Sequence, residues 1–365
     1  GTGPRRDGSP YAGPPRRVIR ARSLRRTVGQ LRRVLTDPRE SHDRRAEAAT
    51  ALARLAAERV PGADPDEWWG LLDVSTEAPL FVEEETVGLS PSKIESIERS
   101  PLDWFLDTIA PGESTPAMGI GTIVHWALES LSAEVLDPAA PPAVGVEEVW
   151  AAIEARWSEL SFESPWLAEQ QHRLARRYAV GLADYLRDAA GDGRAAVAAE
   201  QRFAVQVDRV QVRGIVDRME VGAEGALRII DLKTGRPETN AAKVAANAQL
   251  GAYQLAFADG AFDEALEEAL RPLRESGALD PAAPVTAGGA VLLYVREGKG
   301  DQSYREAVQA VLDDEALEAF RDRLRLALAA ITVDQLAGPR TVGRYDYGSL
   351  AHRVHRVPPV TGDDS

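Results

Sequence analysis

The chain has 365 residues, 44% of them hydrophobic, which is enough for one large domain or two ordinary ones with a sizeable core. Its net charge of −14 argues against a generally basic nucleic-acid coat, while leaving room for a local basic channel or for a partner that carries the positive field. It contains no cysteine, which excludes a disulfide framework, a thiolate zinc site and a cysteine-ligated iron–sulfur cluster.

Residues 1–17 are rich in Gly, Pro and Arg and start without Met, as a flexible lead-in or a cut from a longer polypeptide would. Residues 16–45 are strongly basic, with Arg16, Arg17, Arg20, Arg22, Arg25, Arg26, Arg32 and Arg33 close together. Leu24, Val28, Leu31 and Leu35 fall at helical spacing, so an Arg-rich amphipathic helix is expected. Such a helix is either a solvated face packed on a partner or a phosphate-contacting surface. A second helix is expected over 43–60, ended by the Pro/Gly stretch 61–65. Trp68 and Trp69 follow and read as packing anchors rather than a stacking platform, and 74–87 reads as a linker.

A new domain is expected from residue 88. In Leu89-Ser-Pro-Ser-Lys-Ile-Glu95, Ser90 or Ser92 can cap a helix, with Pro91 tolerated in its first turn, and Ser100-Pro101 breaks the segment. Residues 119–131 form another helix with His125 among apolar neighbours, and two more helices are expected at 146–160 and 166–189, with a Pro/Ala loop at 137–143 before them. From Val197 the period changes to about two, giving strands at 198–207, 210–221 and 226–232 joined by turns at 208–209 and 222–225, an antiparallel meander. Helices at 240–258 and 263–276, a buried strand at 289–295, a helix at 313–330 and a mostly irregular end carrying His352 and His355 complete the reading. No apolar run is long enough to cross a bilayer and the start shows no signal-peptide pattern, so no membrane is expected and the cytoplasm is the default compartment.

The chemistry concentrates between Gly214 and Tyr253. Asp217 and Asp231 come at the ends of neighbouring strands, where carboxylate oxygens suit a hard ion such as Mg2+ or Mn2+. Two carboxylates in an apolar setting repel, and a metal is one natural solution. In Asp231-x-Lys233 both side chains leave the strand on one face. An ammonium beside a metal-binding carboxylate can hold or activate a water for phosphodiester hydrolysis. Of the 43 basic residues only Lys93, Lys233, Lys243 and Lys299 are lysines, so a lysine at an apolar strand end stands out. Gln249 and Tyr253 are four apart and share a helix face. Glu200, on the preceding strand, is a further carboxylate for the metal shell or for positioning water. Each feature also has an ordinary reading. Asp217 can pair with Arg218, a lone His125 is more often a satisfied core residue, and Glu297-Gly-Lys299 shows that an acid-x-Lys tripeptide alone means little.

The joint order is more specific. Leu89-Ser-Pro-Ser-Lys-Ile-Glu, Gly121-Thr-x-x-His125, Gly214-Ile-Val-Asp217-Arg218, Asp231-Leu-Lys233-Thr-Gly and Gln249-x-x-x-Tyr253 together resemble the RecB-type nuclease branch of the PD-(D/E)xK superfamily, found at the C-terminal ends of bacterial helicase–nucleases such as RecBCD, AddAB and AdnAB, with the AdnAB-like subunits nearest in pattern. The resemblance implies an α/β fold, a restriction-endonuclease-like mixed β-sheet flanked by helices, over residues 88–365. Residues 1–87 would then be a helical extension, the tail of a preceding helicase motor. It implies a metal held by His125, Asp217, Asp231 and the backbone carbonyl of Leu232, with Lys233 catalytic beside the two aspartates. Gln249 and Tyr253 would support substrate binding, with Arg218 and Glu200 as further supporting residues. The implied activity is Mg2+- or Mn2+-dependent cleavage of single-stranded DNA in a bacterial complex that resects double-strand breaks, with a helicase motor in the same polypeptide and a second helicase–nuclease subunit as partners. The competing expectation is a nuclease-like scaffold that binds DNA without cutting it. In one respect the chain departs from the pattern. Many relatives have a cysteine where Ser100 stands and a C-terminal cysteine cluster, which together hold a 4Fe–4S cluster. Here His352 and His355 are too few to replace it, and ordinary packing must join the ends of the domain.

Overall fold

The structure is a computed structural model and describes residues 23–68, 78–109, 116–135, 144–333 and 336–338. The expectations for the Arg-rich lead-in up to Arg22, for Trp69, for the loop 137–143 and for His352 and His355 fall outside these residues. The chain forms two compact units, residues 1–77 with 353–365, and residues 78–352.

In the first unit, helices α1 (Leu24–Thr36) and α2 (His42–Ala57) pack around Val28, Leu52, Ala63 and Trp68. Ser23 and Ser41 cap the two helices by accepting the N–H of Arg26 and Arg44. Trp68 is an anchor, with its indole N–H donating to the Gly62 carbonyl at 2.8 Å and the Arg32 guanidinium 4.5 Å from its ring centre. Arg25, Arg26 and Arg33 face solvent, and so does Leu24 at the start of the apolar stripe.

The first strand of the second unit is β1 (Val87–Leu89). Helices α3 (Pro91–Arg99), α4 (Pro101–Ile109), α5 (Pro116–Val135), α6 (Val146–Ala155) and α7 (Pro165–Gly191) come next. Strands β2 (Ala195–Val207), β3 (Val210–Val221) and β4 (Ala226–Lys233) form the expected antiparallel meander. Helices α8 (Ala241–Ala245), α9 (Ala248–Ala258) and α10 (Asp263–Glu275) cross over to β5 (Thr286–Tyr294), which pairs parallel to β4. β6 (Arg305–Gln309) and α11 (Asp314–Ile331) complete the unit. The result is a six-stranded mixed sheet with a core on each face. One core is closed by α3, α9 and α11 through Ile94, Leu250, Tyr253 and Phe320, the other by α5, α6 and α7 through Ile123, Leu128, Ile153 and Leu182. The fold is the α/β, restriction-endonuclease-like arrangement that the sequence resemblance implies.

Three elements differ from the sequence reading. The helix expected over 240–258 is two helices, because Asn247 caps the second by accepting the Leu250 N–H. β1 and β6 have no period to read, being only three and five residues long, and Val308 of β6 is exposed. Ser100 is fully buried and its hydroxyl accepts the Asp103 N–H at the start of α4, where Leu102 also donates its N–H to Ala337 at 3.1 Å. The start of α4 and the segment 336–338 therefore meet through a backbone hydrogen bond at this point.

Candidate active site

The site arises from a fork in the sheet. β3 has three neighbours but only two edges. β2 follows one edge along its whole length, so β1 and β4 share the other, β1 at Val210–Val212 and β4 at Arg218–Val221. Between them the backbone of residues 213–217 has no strand partner on that edge, and side chains supply what the ladder does not. The Tyr253 hydroxyl reaches the Ile215 carbonyl at 3.2 Å. Past the last β3–β4 pair, Arg218 with Ile230, the Leu232 N–H donates to Asp217 Oδ2 at 2.6 Å. The N–H and C=O of a strand residue leave on the same side, so the Leu232 carbonyl faces this gap as well.

Close approach holds the fork open at two glycines. A Cβ at Gly214 would lie 2.8 Å from the Phe203 ring and 3.0 Å from Pro91, so only glycine lets the first turn of α3 settle on β3. A Cβ at Gly121 would meet the Thr234 hydroxyl at 3.2 Å, which lets α5 lie against the exit of β4 and brings His125 in. The Tyr178 hydroxyl fixes the same exit by donating to the Thr234 carbonyl at 3.1 Å.

Two groups of side chains result. In the first, one ligand atom each from His125, Glu200 and Asp217 lies within 4.8 Å of the others. His125 Nδ1 is 3.2 Å from Asp217 Oδ1. Burial opposes protonation of His125, but its hydrogen bond to Asp217 and the charges of Asp217 and Asp231 outweigh this and raise its pKa. Glu200 joins the group through an unusual backbone, with φ at +49° in the middle of β2, a conformation that costs a non-glycine residue about 1–3 kcal/mol. Burial, then the nearby Asp217, raises the Glu200 pKa.

The second group surrounds Asp231, which is 2% exposed. Its Oδ1 accepts from Gln249 Nε2 at 2.6 Å and lies 2.9 Å from the Tyr253 hydroxyl. Its Oδ2 is paired with the Lys233 ammonium, 2.7 Å away. Gln249 Oε1 accepts from that ammonium at 2.9 Å, and Gln249 Nε2 also donates to the Tyr253 hydroxyl at 2.7 Å. Burial raises the Asp231 pKa, Lys233 opposes this and Asp217 adds to it. Gln249 and Tyr253 thus orient Asp231 and Lys233 from behind.

The residues present fit a divalent cation. Two carboxylates and an imidazole converge on the cleft beside the buried Asp231, and burial disfavours the charged forms of His125, Glu200 and Asp231. Oxygen donors with one imidazole nitrogen suit Mg2+ or Mn2+. The close group brings Glu200 together with His125 and Asp217, and Asp231 stands beside it with Lys233, Gln249 and Tyr253 around its carboxylate.

Arg218 does not reach this gap. It is 3% exposed on the opposite face of β3, its Nε donating to Glu220 at 2.7 Å and its Nη1 to Ser132 at 2.5 Å. A guanidinium sealed in this way cannot touch a substrate, and neither does it pair with Asp217, because adjacent strand residues point to opposite faces. Its part is to lock α5 to β3 from behind. Conversely, Glu95 carries a role that the sequence reading did not give it. Its Oε1 accepts the Ala248 N–H at 2.9 Å and the Asn247 amide at 3.2 Å, tying α3 to the first turn of the helix that carries Gln249 and Tyr253. The available signal was its place in the segment 89–95, next to the buried Ile94 on α3.

A cleft of about 560 Å3 opens onto the first group, with Gly121, Thr122, His125, Glu200 and Asp217 in its wall. Among the described residues no helix is long and apolar enough to cross a membrane. Residues 88–354 match the sequence model of the PD-(D/E)XK nuclease superfamily. No curated protein matches the chain.

Proposed function

The chain belongs to the PD-(D/E)XK nuclease superfamily, whose members cleave nucleic acids, usually with a divalent metal, and on that premise we propose that it hydrolyses phosphodiester bonds of single-stranded DNA with Mg2+ or Mn2+. The observation that carries the proposal is the convergence of His125, Glu200 and Asp217 beside the Asp231–Lys233 pair at the fork of the sheet.

His125, Glu200, Asp217, Asp231 and the Leu232 carbonyl are the groups that would hold the cation. When bound there, it supplies Lewis acidity, lowering the pKa of a water and offsetting charge on the phosphate. Lys233 holds the attacking water and stabilises charge that builds on the phosphate oxygens. Gln249 keeps the ammonium aimed by accepting one of its protons, and Tyr253 with Gln249 fixes the Asp231 carboxylate in one orientation. Lys233 and Asp231 are held by each other on β4 and by side chains of α9, so little reorganisation is needed at this pair when charge develops.

The RecB-type motif order supports a wider setting. In it residues 88–365 are the nuclease module of a bacterial cytoplasmic helicase–nuclease that resects double-strand breaks, residues 1–87 are the tail of a helicase motor in the same polypeptide, and a second helicase–nuclease subunit completes the machine. The exposed Arg25, Arg26 and Arg33 of α1 favour a nucleic-acid or acidic partner for the first unit.

The test is Asp231→Ala. Cleavage of a labelled single strand with Mg2+ or Mn2+ should fall to background while the thermal melt stays cooperative. Full cleavage by that variant would remove the assignment.

A further inference from the structure

The cleft extends past the carboxylates along α5. Met118, Thr122, His125, Trp126 and Glu129 lie on one face of that helix and span roughly 16 Å of its axis. Trp126 is half-buried, unlike Trp104, which serves a core and is 6% exposed, so part of its indole is presented to the cleft. Met118 forms an apolar rim, 60% exposed. Arg156, the residue after α6, holds its guanidinium 5.3 Å from the Trp126 ring centre and is the one Arg or Lys among the described residues that line the cleft. Its Nε and Nη2 donate to Glu159 at 2.8 and 2.7 Å. That pair is in solvent and contributes little to stability, so a phosphate can take Glu159's place on the same two-pronged donor.

We propose that Trp126 and Arg156 form a docking ledge for an unpaired polynucleotide strand, the indole stacking a base while the guanidinium holds the phosphate next to the one that reaches His125, Glu200 and Asp217. The inference rests on the nuclease reading of that cluster and names the residues that hold its single-stranded substrate. The other charged residues that line the cleft, Glu129, Glu200 and Asp217, repel a phosphate chain, so a strand entering here needs the guanidinium and an uncharged surface beside it. A base within a duplex has both faces covered by its neighbours, whereas an unpaired base offers one to an aromatic ring. The ledge therefore favours a single strand over a duplex.

The experiment uses the full chain in three forms, the parent, Trp126→Ala and Arg156→Gln, with Trp126→Phe as the conservative control. Binding of a fluorescent single-stranded oligothymidylate and of a blunt duplex is followed by anisotropy with Ca2+. The same series is repeated on an Asp231→Ala background, where loss of cleavage leaves the ledge intact. Trp126→Ala should weaken single-strand binding by about 5- to 150-fold, the range for losing one stacked base, with duplex binding unchanged and Trp126→Phe largely restoring affinity. Arg156→Gln should reduce the slope of log K against log salt by about 0.7, as for one lost phosphate contact on a single strand. In cleavage assays both changes should raise KM and leave kcat within a few-fold. Unchanged single-strand affinity in Trp126→Ala, or an equal loss for duplex, would overturn the proposal. Should the parent bind strand in this pattern yet cleave nothing, the ledge would stand and the hydrolytic reading of the cluster would fall.

Discussion

β4 and β5 run parallel in register, with Lys233 beside Tyr294, and each leads into an acid-x-lysine tripeptide, Asp231-Leu-Lys233 and Glu297-Gly-Lys299. The two share a spacing and differ in everything around it. Asp231 is sealed by Tyr253 and Gln249 and has Lys233 as its counter-charge. Glu297 and Lys299 lie exposed in a turn, Glu297 3.8 Å from Arg296 and Lys299 bridged to Gln302. Water already satisfies the second pair, so it has no unmet demand for a cation or a phosphate. Burial, and the elements that maintain it, separates the two tripeptides.

Substitutions at each end can break or sharpen this contrast. The largest effect after Asp231 is expected from Lys233→Ala, which should lower kcat by about 100- to 10,000-fold while Mn2+ binding persists. Loss of metal binding in that variant would mean that the lysine shapes the cluster rather than the reaction. Gly214→Ala comes next. Its Cβ meets the Phe203 ring and Pro91, so unfolding in urea should show a loss of about 1–3 kcal/mol, with activity falling as the fork distorts. Glu95→Ala removes the acceptor at the start of α9 and should cost about 1 kcal/mol, and kcat should drop because Gln249 and Tyr253 are held less firmly. Glu95→Gln keeps an acceptor oxygen and should recover most of both. Glu297→Ala and Lys299→Ala should leave cleavage unchanged and move stability by no more than about 0.5 kcal/mol. A large loss of activity from either would show that the exposed tripeptide contributes after all.

The same contrast explains what the sequence displays. Asp231 and Lys233 declare themselves by alternation, and Gln249 and Tyr253 by a four-residue spacing, because both patterns are local. The meander is legible for the same reason. Which face of β3 carries a residue is legible too, but its partner is not, so Arg218 next to Asp217 looks like a site residue until Ser132 and Glu220 are seen to enclose it. Glu200 is legible as a further carboxylate on the preceding strand, whereas the positive φ at its place in the close group is announced by nothing in its neighbours. Glu95, Trp126 and Arg156 depend on helices that meet only in three dimensions. β1 and β6 are too short to show a period, yet β1 shares an edge of β3 with β4 and thereby creates the gap in which the site lies.

The central claim is that this gap is built to hold a divalent cation between His125, Glu200 and Asp217. Titrating the protein with Mn2+ and reading the free ion by electron paramagnetic resonance measures it directly, with Asp217→Asn compared against the parent and Lys233→Ala. Saturable binding by the parent and by Lys233→Ala, and its loss in Asp217→Asn, is the predicted result. Equal binding by the parent and Asp217→Asn, or none by any of the three, would contradict it.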